Sequence, residues 1–291
     1  MKYTPAQPPE GINVTDEHPL KSFFILTAGT IGVVVIIIVI LGLIADHLVK
    51  YIPVEYEQDI FSKEGMYLMP FATDNSELGI QTQQYVQNLV DELHTAAGEK
   101  YAKHQFQVEI ADISDANAFA IPGGHIIITK GLFSSIESEN GLSMILAHEM
   151  AHHYERHPLR SSGRGLVVSL FLLAILGADG SNFLQYFLGN TASITNLAFS
   201  RQQETDSDIF AYELLIKYYG HASGAAEFFQ YINTEENSTN EITSFLNTHP
   251  STEDRISTLV ELEYIYSGNK KPLADFLYSY IEIGTNTEIL D

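Results

Sequence analysis

The run His148-Glu149-Met150-Ala151-His152 sets two imidazoles four residues apart with a carboxylate beside the first. On a helix, such residues lie one turn apart and about 40° from each other around the axis, so both rings point the same way. Two imidazoles placed like this can grip one zinc ion at bond lengths of about 2.0–2.1 Å. Glu149 is offset by about 100° from His148, so it flanks the metal without binding it. A carboxylate there can take a proton from water activated by the metal, while the metal polarises a peptide carbonyl for attack. The chemistry is metal-assisted hydrolysis. The neighbouring residues are apolar (Leu142, Met144, Ile145, Leu146, Met150). Burying two imidazoles and a carboxylate among them without partners would be costly, which weakens the reading of a chance match.

A hydrolytic zinc site needs a third protein ligand and an open position for water. His153 leaves the helix on a different face from His152, and His157 lies about 180° round a straight helix from His148. Glu155 also stands where the metzincin spacing requires Gly. Both histidines are therefore expected at the surface or supporting a ligand from behind. Between Pro158 and Gln203 the only acidic residue is Asp179. The next is Glu204, in Ser200-Arg201-Gln202-Gln203-Glu204-Thr205-Asp206-Ser207-Asp208. Glu204 and Asp208 share a helix face, which would let Glu204 bind zinc while Asp208 accepts a proton from a liganding histidine. An acidic, solvated helix start favoured by the helix dipole is the alternative.

The elements that must position these residues can be read from periodicity. Glu77 to about Lys103 has apolar residues at spacings of three, four and seven, a helix. Phe106 to Ile113 alternates like a strand, Ile121-Pro122-Gly123-Gly124 is a turn, and His125 to Thr129 supplies a second strand. Leu142 to Arg156 is a helix carrying the histidines, and Pro158 is expected to stop it. Thr205 to Tyr219 and Ser223 to Ile232 are helical, and Ser251-Thr252-Glu253-Asp254 reads as a capping box opening a helix to about Tyr266. Gly165 to Ala178 is an apolar run of fourteen residues, short for a span, and fits a core or interfacial helix better than a membrane insertion.

Phe23 to Ile44 contains no charge over twenty-two residues. As a helix it would be roughly 33 Å long, enough to cross a hydrocarbon core. A cleaved signal peptide would have a shorter apolar region ending in a small-x-small site, and Leu43-Ile44-Ala45 is a poor one. Lys2 and Lys21 before the span and Lys50 and Lys63 after it lean toward a cytoplasmic N-terminus. The large domain would then be extracytoplasmic, on the periplasmic side of a bacterial inner membrane. Residues 1–22 read as a disordered tail, 23–44 as a single-pass anchor, 45–76 as a linker and 77–291 as the catalytic domain.

Composition narrows the partners. Fifteen Lys and Arg against 37 Asp and Glu give a formal charge of −22, which excludes the basic footprint of a nucleic-acid binder. It also argues against a domain lying flat on anionic lipid. The absence of cysteine excludes disulfides, thiolate nucleophiles and Cys-ligated zinc.

The motifs form an ordered series: Asn117-Ala118-Phe119 followed by Pro122-Gly123-Gly124, then Gly131-Leu132, the zinc helix, Ser200-Arg201-x-x-Glu204-x-x-x-Asp208, and Thr248-His249-Pro250 with Arg255. This series resembles the membrane-associated gluzincin endopeptidases that include HtpX and the CAAX prenyl protease, over residues 108 to 265. The resemblance implies an α+β, mainly α-helical zincin-like fold with a small β-sheet. It implies one Zn2+ on His148, His152 and Glu204, Glu149 as general base, and Asn117, His249 and Arg255 lining the cleft. His249 would stabilise the oxyanion. Without the resemblance, His249 is a histidine before a proline in a loop, and Arg255 an ordinary helix-surface charge. Ile126-Ile127-Ile128 resembles the edge strand on which such proteases lay their substrate. With one clear span, the chain is closer to single-anchor members, and CAAX processing does not carry over. The expected function is endopeptidase action on protein or peptide substrates at the membrane, in protein quality control. The alternative is a non-catalytic, metal-stabilised membrane chaperone or scaffold, whose zinc would be closed by four protein ligands and would need no base.

Overall fold

In the computed structural model the chain begins with α1 (Pro19–Val49), whose residues 20–49 are long and apolar enough to cross a membrane. The residues described are 19–59, 61, 72–176, 199–232, 245, 248–249 and 253–287. Residues 1–18, most of the expected tail, lie outside them, as do Ser251 and Thr252 of the expected capping box. Most apolar side chains of α1 are exposed, Phe24 and Leu26 among them, while Ala45 and Val49 near its end are buried. A short helical stretch, 54–59, follows.

Helix α2 (Glu77–Ala97) starts where the Ser76 side chain accepts the Gly79 amide. It buries one stripe, Val86, Leu89, Val90 and Leu93, and stops short of Lys103 because Gly98 takes φ +99. Three strands come next, β1 (Gln107–Ala111), β2 (Ala118–Ile121) and β3 (His125–Thr129). Their order is β1-β3-β2, with β3 parallel to β1 and antiparallel to β2. The strand Ile126–Ile128 is therefore central, paired on both sides, which corrects the expectation that it is the edge. The outer strands are β1 and β2, and the uniformly buried Ala-Phe-Ala-Ile of β2 carries no alternation to mark it as a strand.

A 3-10 turn at Lys130–Ser135 leads into α3 (Glu139–Tyr154), every residue of which is buried. Ser138 caps it by accepting the Gly141 amide, and the Glu227 carboxylate accepts the Glu137 and Ser138 amides at 2.5 and 2.8 Å. Helix α3 is covered by β2, by α2 and above all by α5 (Arg201–Tyr219). It ends before Pro158, with Arg156 at φ +58. Pro158 does not stop a helix. It sits in the first turn of the next one, α4 (His157–Leu176), where its missing N–H has no partner to lose.

Helix α4 runs back alongside α1: the Arg156 side chain reaches the carbonyls of Val49 and Ile52, and eight residues on Arg164 bonds Asp46 at 2.8 and 2.9 Å. The apolar run 165–178 forms the second half of this helix as far as Leu176, beside α1, and residues 177–178 lie outside the described residues. Helix α5 begins earlier than Thr205, at a capping box of Ser200 with Gln203. Then follow α6 (Glu227–Ile232), α7 (Glu253–Ile265) and α8 (Asp275–Thr287). The fold is mainly α-helical with one small sheet and one N-terminal apolar helix, as expected.

Candidate metal centre

His148 and His152 extend from the same face of α3, and their Nε2 atoms lie 3.0 Å apart. Helix α5 supplies Glu204 in its first turn, with Oε1 3.4 Å from His152 Nε2 and Oε2 3.5 Å from His148 Nε2. From the segment before α7, His249 brings Nδ1 to 3.4 Å from His148 Nε2 and 3.3 Å from Glu204 Oε2. These four donors lie within 4.8 Å of one another and all four residues are buried. Donor atoms about 2.0–2.1 Å from a tetrahedral ion would be about 3.3 Å apart, close to the observed spacings. Buried imidazole nitrogens and a carboxylate converging on one point, with Glu204 Oε1 lacking a hydrogen bond, fit a cation.

The support behind the cluster is equally ordered. Asp208 Oδ1 lies 2.9 Å from His148 Nδ1, fixing the ring so that Nε2 faces the other donors. Arg255 grips Asp208 through Nε at 2.6 Å and Nη2 at 2.9 Å, and reaches Glu204 Oε2 through Nη1 at 3.0 Å. On the other imidazole of α3, His152 Nδ1 meets His157 Nδ1 at 2.9 Å, and the His152 ring stacks on Phe199 at 4.0 Å. His249 stacks on Phe245 at 4.7 Å.

The electrostatics follow from burial against these partners. Desolvation opposes charge on His148, but hydrogen bonds to Asp208 and Glu204 outweigh it and push its pKa up to about 10 in the absence of a metal. Glu204 is held well below the carboxylate range, its desolvation overcome first by His249 and then by His148 and His152. Desolvation dominates at His152 and lowers it, leaving a neutral imidazole suited to a metal. Glu149 is completely buried, neither of its oxygens has a hydrogen bond, and desolvation raises its pKa. Its Oε1 lies 3.6 Å from His249 Nε2.

The structure thus brings together His148, His152, Glu204, Asp208, Glu149 and His249. Arg255 is also here, but its guanidinium is occupied by Asp208 and Glu204. Asn117 stands just before β2, its backbone N–H donated to Thr129 Oγ1 at 2.7 Å and its carbonyl accepting the Thr129 amide. Neither His153 nor His157 is a surface residue. His153 donates from Nε2 to the His125 carbonyl at 2.9 Å, and burial pushes its pKa down to about 3. Burial likewise pushes His157 down to about 4. Sequence reasoning missed the apolar pocket beside His148 and Glu149, formed by Met144, Ile145, Phe228, Phe229 and Phe245. Its signal was half present: Met144 and Ile145 lie one helical turn before His148 and Glu149 on α3.

Comparison with known proteins agrees with this architecture. The family model "Peptidase family M48" matches residues 80–263. The chain is 30% identical over 181 residues to the mitochondrial metalloendopeptidase OMA1 of Schizosaccharomyces pombe, covering 62% of this chain and 52% of that protein. It is 28% identical over 183 residues to a putative beta-barrel assembly-enhancing protease of Vibrio cholerae, covering 60% and 37%. Human OMA1 is 24% identical over 166 residues, covering 53% and 32%. The chain therefore spans about half, or less, of the length of these relatives.

Proposed function

Because the chain belongs to peptidase family M48, we propose that it is a zinc-dependent endopeptidase held at a membrane by α1 as a single-pass anchor. The carrying observation is the Glu149 carboxylate, buried and unbonded beside four convergent metal donors. When bound to His148, His152 and Glu204, zinc would supply a Lewis acid for the peptide carbonyl and for the attacking water. Glu149 accepts the proton of that water and returns it to the leaving amine, a task suited to a carboxylate whose pKa is raised by burial. Asp208 orients His148. His249, with Nε2 on the Glu149 side, donates toward the carbonyl oxygen as charge develops there.

The substrate is an extended segment of protein or peptide laid along the free edge of β2, with Asn117 at the start of that edge. The proximity of Arg255 to two carboxylates supports a role in holding Asp208 and Glu204, in place of the expected contact with substrate. Residues 77–291 form the catalytic unit, on the extracytoplasmic side of the membrane. The relatives' names, metalloendopeptidase and assembly-enhancing protease, support a role in protein quality control.

One observation favours a second reading, a metal-stabilised scaffold without catalysis. With His249 counted, four protein donors are gathered, the number of a closed structural site. Cleavage of casein by the detergent-solubilised chain, with and without chelator, separates the two when run beside Glu149→Gln. The protease reading requires cleavage that chelator abolishes and that Glu149→Gln loses while still binding one zinc. Equal cleavage by wild type and zinc-loaded Glu149→Gln would refute it.

A further inference from the structure

Arg156 is the one non-glycine residue with positive φ among those described, and it stands at the junction of α3 and α4, four residues past His152. A left-handed backbone is unfavourable for arginine, so its surroundings must hold it there. Its guanidinium does so by bridging two parts of the chain. Nη1 donates to the carbonyls of Val49, the last residue of α1, at 3.2 Å, and of Ile52, three residues past its end. Nε and Nη2 donate to Glu57 Oε2 at 3.0 and 2.6 Å. Both side chains of this pair are largely buried, 12% and 9% exposed.

Glu57 is engaged on its other oxygen as well. Oε1 accepts the amide of Gly123 at 3.1 Å, in the turn between β2 and β3. Gly123 and Gly124 both have positive φ there, and a Cβ on Gly123 would lie 2.5 Å from Phe61 Cβ. Gln58, one residue on, donates to the Gln105 carbonyl at 2.9 Å. The segment after α1 is thus clasped to the turn that fixes β2, and β2 packs on α3, the helix that carries Glu149. In the other direction, Arg156 precedes His157, whose Nδ1 meets His152 Nδ1.

We propose that the Arg156–Glu57 pair is a positioning device that ties the end of the membrane anchor to both halves of the active site, the metal-bearing helix and the substrate-bearing strand. As an account of catalysis it rests on the protease reading. The geometry of the site then depends on how α1 ends, and displacement of that end would be felt at His152 through His157 and at Glu149 through β2. Neither residue touches substrate or metal.

The test uses the full chain in liposomes, with Glu57→Gln, Arg156→Gly and the double variant. Glycine accepts φ +58 without strain, so Arg156→Gly removes the guanidinium and spares the backbone. Three measurements are made: zinc per chain, steady-state kinetics on casein for kcat and KM, and amide hydrogen exchange over residues 118–129 and 148–157. The expected result is unchanged zinc content, kcat lowered about tenfold or more in each single variant, KM little changed, and faster exchange in both segments. The double variant should be no worse than the worse single one, because one link is broken either way. Zinc-loaded variants with wild-type kcat, and faster exchange only over residues 49–61, would overturn the proposal. If Arg156→Gly does not fold, the nearly isosteric Glu57→Gln decides alone. If wild type shows no Glu149-dependent cleavage, the protease reading fails, while exchange in the two segments still judges the linkage.

Discussion

Asp208 Oδ1 lies 2.9 Å from His148 Nδ1, although the two residues sit on different helices sixty positions apart. The contact exists because α5 packs along α3, with Glu204 and Asp208 one turn apart on the face turned to the histidines. One helix face therefore carries both Glu204, a candidate metal donor, and the group that orients a second candidate, His148. Arg255 then neutralises part of the charge that two buried carboxylates bring, so the pair is tolerated in a dry interior.

Asp208→Asn is expected to weaken zinc binding by about 10–100-fold, because the amide no longer holds His148 in one tautomer. Competition with a chromophoric chelator measures this directly. The variant should keep its helix content, since α5 is capped independently by Ser200 and Gln203. Unchanged zinc affinity would mean that Asp208 serves only Arg255.

Much of this centre was legible in the sequence because it is local. His148 with His152, and Glu204 with Asp208, are pairs four residues apart, and helical geometry alone puts each pair on one face. What was illegible is non-local. The contacts of Arg255 with Asp208 and Glu204 span 47 and 51 positions, and nothing in the neighbours of Arg255 announces them. Strand periodicity found β1, and the isoleucine run after the Gly-Gly turn found β3, but neither could show which strands lie at the edge, since that depends on pairing. Pro158 was misread because proline is compatible with a first helical turn as well as with a stop.

The N-terminus of α3 depends on Glu227, whose two oxygens together accept from the amides of Glu137 and Ser138, from Ser138 Oγ and from Lys270. Glu227→Ala leaves those amides without their acceptor in a buried position, at a cost of about 1–3 kcal/mol. Urea unfolding should report a lower midpoint of that order. Because the cap is at the opposite end of α3 from the histidines, zinc stoichiometry in the folded protein should stay at one. Loss of zinc without loss of stability would contradict this division of labour.

Acid should loosen the aromatic cluster beneath α3. His94 sets Nδ1 2.7 Å from the Tyr154 hydroxyl, and His104 meets the same ring edge-on at 5.0 Å. Burial lowers the pKa of both imidazoles. The unfolded chain, with ordinary histidines near about 6.5, therefore takes up protons first as pH falls. The stability these residues confer is present above that value and is lost below it. Zinc-free protein should show a thermal midpoint that declines from pH 6.5 to 5, and the double variant His94→Gln/His104→Gln a shallower decline. Parallel slopes would assign the acid response to other groups.

His249 stands where two demands meet. Its Nδ1 is among the four converging donor atoms, 3.3 Å from Glu204 Oε2, while its Nε2 is 3.6 Å from the Glu149 carboxylate. A hydrolytic centre needs one open position, so an imidazole here is useful only if it serves the reacting carbonyl when substrate is present. His249→Ala should retain one zinc per chain, because His148, His152 and Glu204 remain, though with weaker affinity. At saturating zinc, kcat should fall about 10²–10³-fold with little change in KM, the signature of a donor used in the transition state. Cleavage assayed over a zinc titration separates loss of metal from loss of chemistry. A rise in kcat would instead make His249 an obstruction at the metal, and the oxyanion role would pass to another donor.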